Sequence, residues 1–304
     1  MSNDLVKSYK IIKPAIVAVI SRISTQPDFP EVIGTGFIVK GDGLIMTNAH
    51  VIEAIKQLPT HKSLEGEWPI SVMVFHNEPG IGVINYSLEV DGVTKLSTPP
   101  SRYLKTPIDV GFIHVNCKNL PEASIEKTPS FQEGGLVATA GFPMGTDLLR
   151  APGNVHQMTP TLRQGVVSAI LPFPCDDPHA IMMDIEAMGG ASGSPVFNPQ
   201  TGEVLGILYG GAREPMSVQV GGQRGFGART TGLSYAIPSN WLFPIMERYE
   251  QEVAPQVKHN EAETTDFKDV IAEGIKRMQA GAEGIIGDVT AVPATEIIQP
   301  KRHK

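Results

Sequence analysis

Three side chains set far apart in this sequence have the types and settings needed for nucleophilic chemistry. The segment GGASGSPVFN places Ser192 on a glycine-rich turn just before a strand-like run. A serine hydroxyl is a weak nucleophile at neutral pH. It needs a base to take its proton, an acid group to orient that base, and donors for the charge that grows on a reacting carbonyl oxygen. Gly189, Gly190 and Gly193 let the backbone turn tightly around Ser192, so the amides of Gly190 and Ser192 are the candidate oxyanion donors. His50, in LIMTNAHVIEA, stands where an apolar strand gives way to a short helix, and of the eight histidines it alone occupies such a junction. Asp109 opens the apolar run VGFIHV and is the candidate for holding the imidazole. The chemistry expected of this set is acyl transfer through a covalent serine intermediate.

Other readings of the same residues fail on spacing. An α/β-hydrolase needs G-x-S-x-G around its serine and a histidine after it. Here Gly190-Ala191-Ser192-Gly193-Ser194 departs at the last position, and only His259 and His303 follow, both in the tail. His61, His76, His114, His156 and His179 show no metal-ligand spacing, so no metal and no cofactor are expected. The glycine-rich stretch GGQRGFGARTTG, Gly221 to Gly232, lies between strand candidates and lacks the strand–turn–helix setting of a nucleotide site.

The elements that must position these residues are short and apolar, broken by turn signals. The 31 glycines and 25 prolines among 304 residues suit an all-β fold better than a helical bundle. Leu5 to Ile12 is expected to form a short helix that stops before Pro14, where the proline ring disfavours helical backbone in its predecessor. Strand candidates up to Val115 are AIVAVISR, GTGFIVK, GLIMTNAHV, ISVMVFH, VINYSLEV and DVGFIHV, and Gly41-Asp42-Gly43 reads as a hairpin turn. After a linker from Asn116 to Gly135, a second set runs from Leu136 to Ile237: LVATAGFP, LRQGVVSAI, AIMMDIEA, SPVFNP, EVLGILYGG and GLSYAIP. PSNWLFPIMERYEQE reads as a helix closing the second set, and Asp266 to Ala280 as another helix.

A net charge of −7 argues against a phosphate-binding surface, so no nucleic-acid partner is expected. Cys117 and Cys175 define no disulfide framework. The first twenty-two residues lack the apolar core and cleavage site of a secretory signal, and the run Ala15 to Ile20 is too short to span a membrane. The expectation is therefore a cytoplasmic protein without membrane contact.

Taken together, GTGFIV, TNAHV, the aspartate before an apolar strand and GxSGSPVFN resemble the trypsin-like serine peptidases of the HtrA/Deg and glutamyl-endopeptidase groups, over roughly Lys13 to Ile245. The resemblance implies an all-β chymotrypsin-like fold: two six-stranded antiparallel β-barrels with short terminal helices and the site between them. It assigns His50, Asp109 and Ser192 as a triad in chymotrypsin order, and makes the chain a serine endopeptidase acting on polypeptides. Residues 1–120 are the expected N-terminal barrel carrying His50 and Asp109, 121–250 the C-terminal barrel carrying Ser192, and 251–304 a helical and partly flexible tail.

The same likeness puts Glu186, six residues before the serine, at the base of the specificity pocket, and Leu208, Tyr209, Gly210 and Gly211 along its wall and the substrate-pairing edge. An inward Glu186 would select Lys or Arg before the scissile bond; an outward one leaves a preference for small or medium apolar residues. Three departures stand out: too few residues follow Ile245 for a PDZ domain, Ala191 replaces the usual asparagine before the serine, and Val51 to Ile108 is long enough for an inserted hairpin or loop near the cleft. The competing reading is a catalytically silent trypsin-fold binding or regulatory module, and the intact triad argues against it. Oligomeric state stays open.

Overall fold

The computed structural model describes residues 4–22, 31–58, 68–79, 82–96, 107–143, 150–151, 155–156, 159–175, 178–220, 223–256 and 264–283. Helix α1 (Asp4–Ile12) ends two residues before Pro14, and a single 3-10 turn leads into strand β1 (Ile16–Ser21). All six residues of β1 are buried. The unbroken apolar run follows from its position, because one face looks into its own barrel while the strand also packs on the second.

The first barrel adds β2 (Val32–Lys40), β3 (Leu44–Thr47), helix α2 (Ala49–Lys56), β4 (Ile70–Glu78), β5 (Gly82–Lys95) and β6 (Gly111–Val115). It closes in the order β1-β2-β3-β6-β5-β4, all neighbours antiparallel. The expected turn at Gly41-Asp42-Gly43 joins β2 to β3. Residues 59–67 and 97–106, where much of the expected insertion falls, lie outside the described residues.

A short strand β7 (Cys117–Lys118) precedes the second barrel. That barrel comprises β8 (Leu136–Gly141), the minor pair β9 (Arg150–Ala151) and β10 (Val155–His156) set off from it, then β11 (Thr161–Leu171), β12 (Ala180–Met183), β13 (Pro195–Phe197), β14 (Val204–Val220) and β15 (Gln223–Pro238). It closes as β11-β12-β15-β14-β13-β8. Two closed six-stranded antiparallel barrels are therefore present, and closure removes the open sheet edges that would invite aggregation. The Gly221 to Gly232 stretch lies largely within β15.

Two hydrophobic cores hold the barrels. The larger fills the first barrel and continues through Phe142, Phe197 and Ile237 of the second. The smaller is built around Val137, Val167, Ile181, Val196 and Leu208. Helix α3 (Ser239–Glu252), expected to close the second barrel, packs on β14 and β15 of that barrel, with Trp241 Nε1 donating to the Pro178 carbonyl at 2.8 Å, and its C-terminal half also reaches the first. Its apolar stripe Leu242, Ile245, Met246 and Tyr249 joins the larger core, the Tyr249 ring lies 4.7 Å from that of Phe112, and Glu250 pairs with Lys40 at 2.5 Å. The stripe thus spans the seam between the two barrels.

Strand β16 (Thr265–Asp266) pairs parallel with β7 and leads into helix α4 (Phe267–Glu283), whose Phe267 ring meets Tyr86 edge-on at 5.9 Å. The tail beyond residue 283 lies outside the described residues. No described helix is long and apolar enough to cross a membrane.

Candidate active site

His50 lies in the first turn of α2, directly after β3. Asn48 caps that turn in extended backbone, is fully buried, and donates from Nδ2 to the Asp109 carbonyl at 2.8 Å. The Asn48 bond locks the segment before β6 against the start of α2. It thereby sets Asp109 beside His50: one carboxylate oxygen accepts the His50 amide at 2.9 Å and the other faces His50 Nδ1 at 2.6 Å. Facing a carboxylate, Nδ1 carries the proton and Nε2 is left with its lone pair outward. The His50 side chain is 48% exposed and that of Asp109 26%, so the pair is open to an incoming molecule on the imidazole side.

Ser192 sits between β12 and β13 in two consecutive tight turns. Ala191 N–H donates to the Met188 carbonyl at 3.1 Å with Gly190 at φ +84°, and Ser194 N–H donates to the Ala191 carbonyl at 3.1 Å with Gly193 at φ +87°. Gly193 has no substitute on steric grounds either, since a Cβ there would overlap the Thr35 carbonyl oxygen. Its N–H donates to Leu208 O, and Leu208 N–H donates to Ser194 O, both at 2.9 Å, which ties the turn to β14.

The turn is held from the other barrel as well. Thr35 on β2 donates its N–H to the Ser192 carbonyl at 2.9 Å and its hydroxyl to the Gly190 carbonyl at 2.7 Å, while that hydroxyl accepts from Phe142 N–H at 3.0 Å. Thr47, at the end of β3, donates its hydroxyl to the Thr35 carbonyl at 2.7 Å. Neighbouring Gly34 sits where a Cβ would lie 3.0 Å from the Val51 methyls and 3.4 Å from Ser192 O, so the helix bearing His50 and the turn bearing Ser192 converge on it. Sequence reasoning missed Thr35. Its signal was the GTG of GTGFIV, a small polar residue between two glycines on an otherwise apolar strand.

Two backbone donors remain unspent. Among the described residues, neither the Gly190 nor the Ser192 N–H donates to a protein acceptor, and both residues are only partly buried.

The expected pocket residues divide. Leu208 is 1% exposed, in the smaller core, with both backbone groups bonded within the protein. The half-buried Tyr209 packs its ring 6.0 Å from that of Tyr235; burial pushes its phenol pKa up, with Tyr235 and then Asp109 adding to the rise. Gly210 faces open space, whereas a Cβ on Gly211 would come within 3.1 Å of the Ala187 carbonyl oxygen. The Glu186 carboxylate accepts the Thr230 hydroxyl at 2.6 Å and its carbonyl accepts from Arg163 at 2.7 Å.

A trypsin-like peptidase domain is matched over residues 34–207, more than half of the chain. The chain belongs to the trypsin-like peptidase family. Among curated relatives of this trypsin-like chain, a DegP-like periplasmic serine endoprotease of Halomonas elongata is 26% identical over 253 residues, 83% of this chain and 41% of the relative. One of the same name from Pseudomonas savastanoi pv. phaseolicola is 29% identical over 68% of this chain and 32% of its own. The serine protease HhoB of Synechocystis is 25% identical over 57% and 33%. The chain thus spans about a third to two fifths of these relatives. A solved structure titled "HtrA-type protease AlgW with tripeptide" aligns with a TM-score of 0.49 and 16% identity over 81% of this chain and 63% of that one.

The relatives' names correct one expectation. The two DegP-like proteins are named as periplasmic, against the cytoplasmic location read from the amino-terminal residues. The segment used for that reading, Ala15 to Ile20, is largely the barrel strand β1; its apolar pattern reports packing and carries no address.

Proposed function

We propose that this trypsin-like chain is a serine endopeptidase in which Ser192 attacks the scissile carbonyl, His50 is the general base and then the general acid, and Asp109 holds the imidazole. The observation that carries this reading is the convergence on β2. The His50–Asp109 pair and the Ser192 turn come from different barrels and meet at Gly34 and Thr35.

In the forward step His50 Nε2 takes the Ser192 proton as Oγ bonds to the carbonyl carbon. The charge moving onto the carbonyl oxygen is received by the unspent amides of Gly190 and Ser192. Collapse expels the amine, protonated by His50, and leaves an acyl-serine. Water activated by the same imidazole then releases the acid.

For the residue before the scissile bond the geometry favours the small or medium apolar alternative. Glu186 is engaged by Thr230, and Ala187 stands close across from Gly211. Polypeptides are the proposed substrates, and the names of the DegP-like relatives support a periplasmic location. The test is labelling with a serine-reactive fluorophosphonate. Wild type is expected to label at Ser192 and Ser192→Ala to lose both labelling and peptidase activity, the latter by on the order of 10⁴-fold or more. A wild type that never labels would instead mark a silent module. A cleavage profile unchanged by Glu186→Gln is expected; loss of cleavage after Lys or Arg in that variant would restore the charged pocket.

A further inference from the structure

Strand β14 does not end with its barrel. It pairs with β13 only as far as Ile207, and Leu208 closes that contact through its bonds with Ser194 and Gly193. From Gly210 to Val220 it pairs with β15 on one side, and its other edge faces no strand among the described residues. Residues 213–217 and 228–231 are exposed. Tyr209 is an extra residue on β14, opposite the step from Ala236 to Tyr235 on β15, which puts Leu208 and then Gly211 and Arg213 on the same outer edge; beyond it the larger surplus lies on β15, between Thr230 and Ser234.

The register says which residues face outward. Val220 pairs with Gln223, leaving two residues between them, and the pair that closes a two-residue hairpin exchanges both hydrogen bonds. Alternation back along β14 turns residues 218, 216 and 214 toward β15. Gly211, Arg213, Pro215, Ser217 and Gln219 then direct their backbone groups to the open edge. Pro215 has no N–H, so at an outward position it leaves the hairpin ladder intact and interrupts the open edge.

Side-chain charge on this arm is uneven. Arg229 is paired with Glu214 at 2.7 Å, while the exposed Arg213 has no carboxylate within 4.0 Å among the described residues.

We propose that this edge extends the substrate site: the fifth residue before the scissile bond pairs through its backbone with Arg213, whose guanidinium selects an acidic side chain there, and Pro215 ends the ladder. The proposal rests on Ser192 being the nucleophile. Leu208 is bonded to Gly193, one residue past Ser192, so the residue before the scissile bond falls beside Tyr209. Steps of two along an antiparallel pair then bring the third opposite Gly211 and the fifth opposite Arg213. The same proline makes the edge a poor template for a second copy of this chain, which favours substrate as the occupant.

The experiment compares kcat/KM for peptides carrying Glu, Gln or Lys at the fifth residue before one fixed cleavage point, in the full chain and in Arg213→Glu and Arg213→Gln. Each protein is first titrated with fluorophosphonate so that rates refer to assembled sites. Glu is expected to exceed Lys about three- to fivefold in wild type, as for an opposed cross-strand charge pair. The order should reverse in Arg213→Glu and level in Arg213→Gln. An unchanged Glu-to-Lys ratio in both variants would overturn the proposal. So would a flat profile in wild type, or sedimentation showing a dimer through the arm that excludes peptide from it. Failure of wild type to titrate would instead strike the reading of Ser192.

Discussion

The two barrels contribute to the site in unlike ways. In the first, His50 and Asp109 belong to one barrel: two hydrogen bonds join them, Asn48 ties their segments together, and the larger core lies behind them. In the second, the serine rides on a glycine turn whose carbonyls are held by Thr35 of the first barrel. In the proposed mechanism, proton transfer is therefore organised within one unit, while Ser192 and the two unspent amides take part of their rigidity from the neighbour. On that proposal the contact between barrels is part of the catalytic geometry as well as of the packing.

The largest test of this contrast is Asp109→Asn. It keeps the shape of the pair but reverses the hydrogen-bond demand on Nδ1, placing the imidazole in the wrong tautomer. A loss in kcat/KM on the order of 10⁴-fold is expected, with the far-UV spectrum unchanged. Activity within tenfold of wild type would mean that the first barrel does not supply the pair.

Thr35→Val tests the borrowed rigidity. Thr35 is fully buried, and removing its hydroxyl strands the Gly190 carbonyl and the Phe142 N–H at a cost of about 1–3 kcal/mol for each group. We expect kcat to fall about 10²-fold, as when one oxyanion donor is lost, with KM little changed and Thr35→Ser restoring most of the rate. If Thr35→Val turns over like wild type, the serine turn supports itself.

The smallest effect sharpens the difference in burial. In the larger core, Tyr86 and Cys117 are at most 1% exposed, and burial pushes their pKa values up to about 12 from 10.0 and 9.0. The folded state keeps these protons after the unfolded state has lost them. Their contribution is thus complete below about pH 9 and declines from there toward pH 12, by up to about 1.4 kcal/mol per pH unit for each group. Urea denaturation at pH 8, 10 and 11 should show the decline, and Tyr86→Phe should flatten the part above pH 10. Stability independent of pH over that range would show that the larger core opens around these groups.

What could be read from the sequence alone was local. Ser192 between glycines, His50 at a strand–helix junction and Asp109 ahead of an apolar strand are set by residues a few positions away, as are the apolar runs that became the barrel strands. Strand number and turn position follow from the same short-range chemistry, because backbone preference and side-chain alternation act over neighbouring residues.

Tertiary structure alone decided the rest. Thr35 reaches Gly190 across 155 residues, the end of α3 reaches Phe112 and Lys40 of the first barrel, Glu186 turns to Thr230, and β14 continues past its barrel with one edge open. Each of these depends on which distant surfaces meet and on the register in which strands pair. A strand's own residues leave that choice undetermined, since a shift of one position exchanges every inward side chain for an outward one.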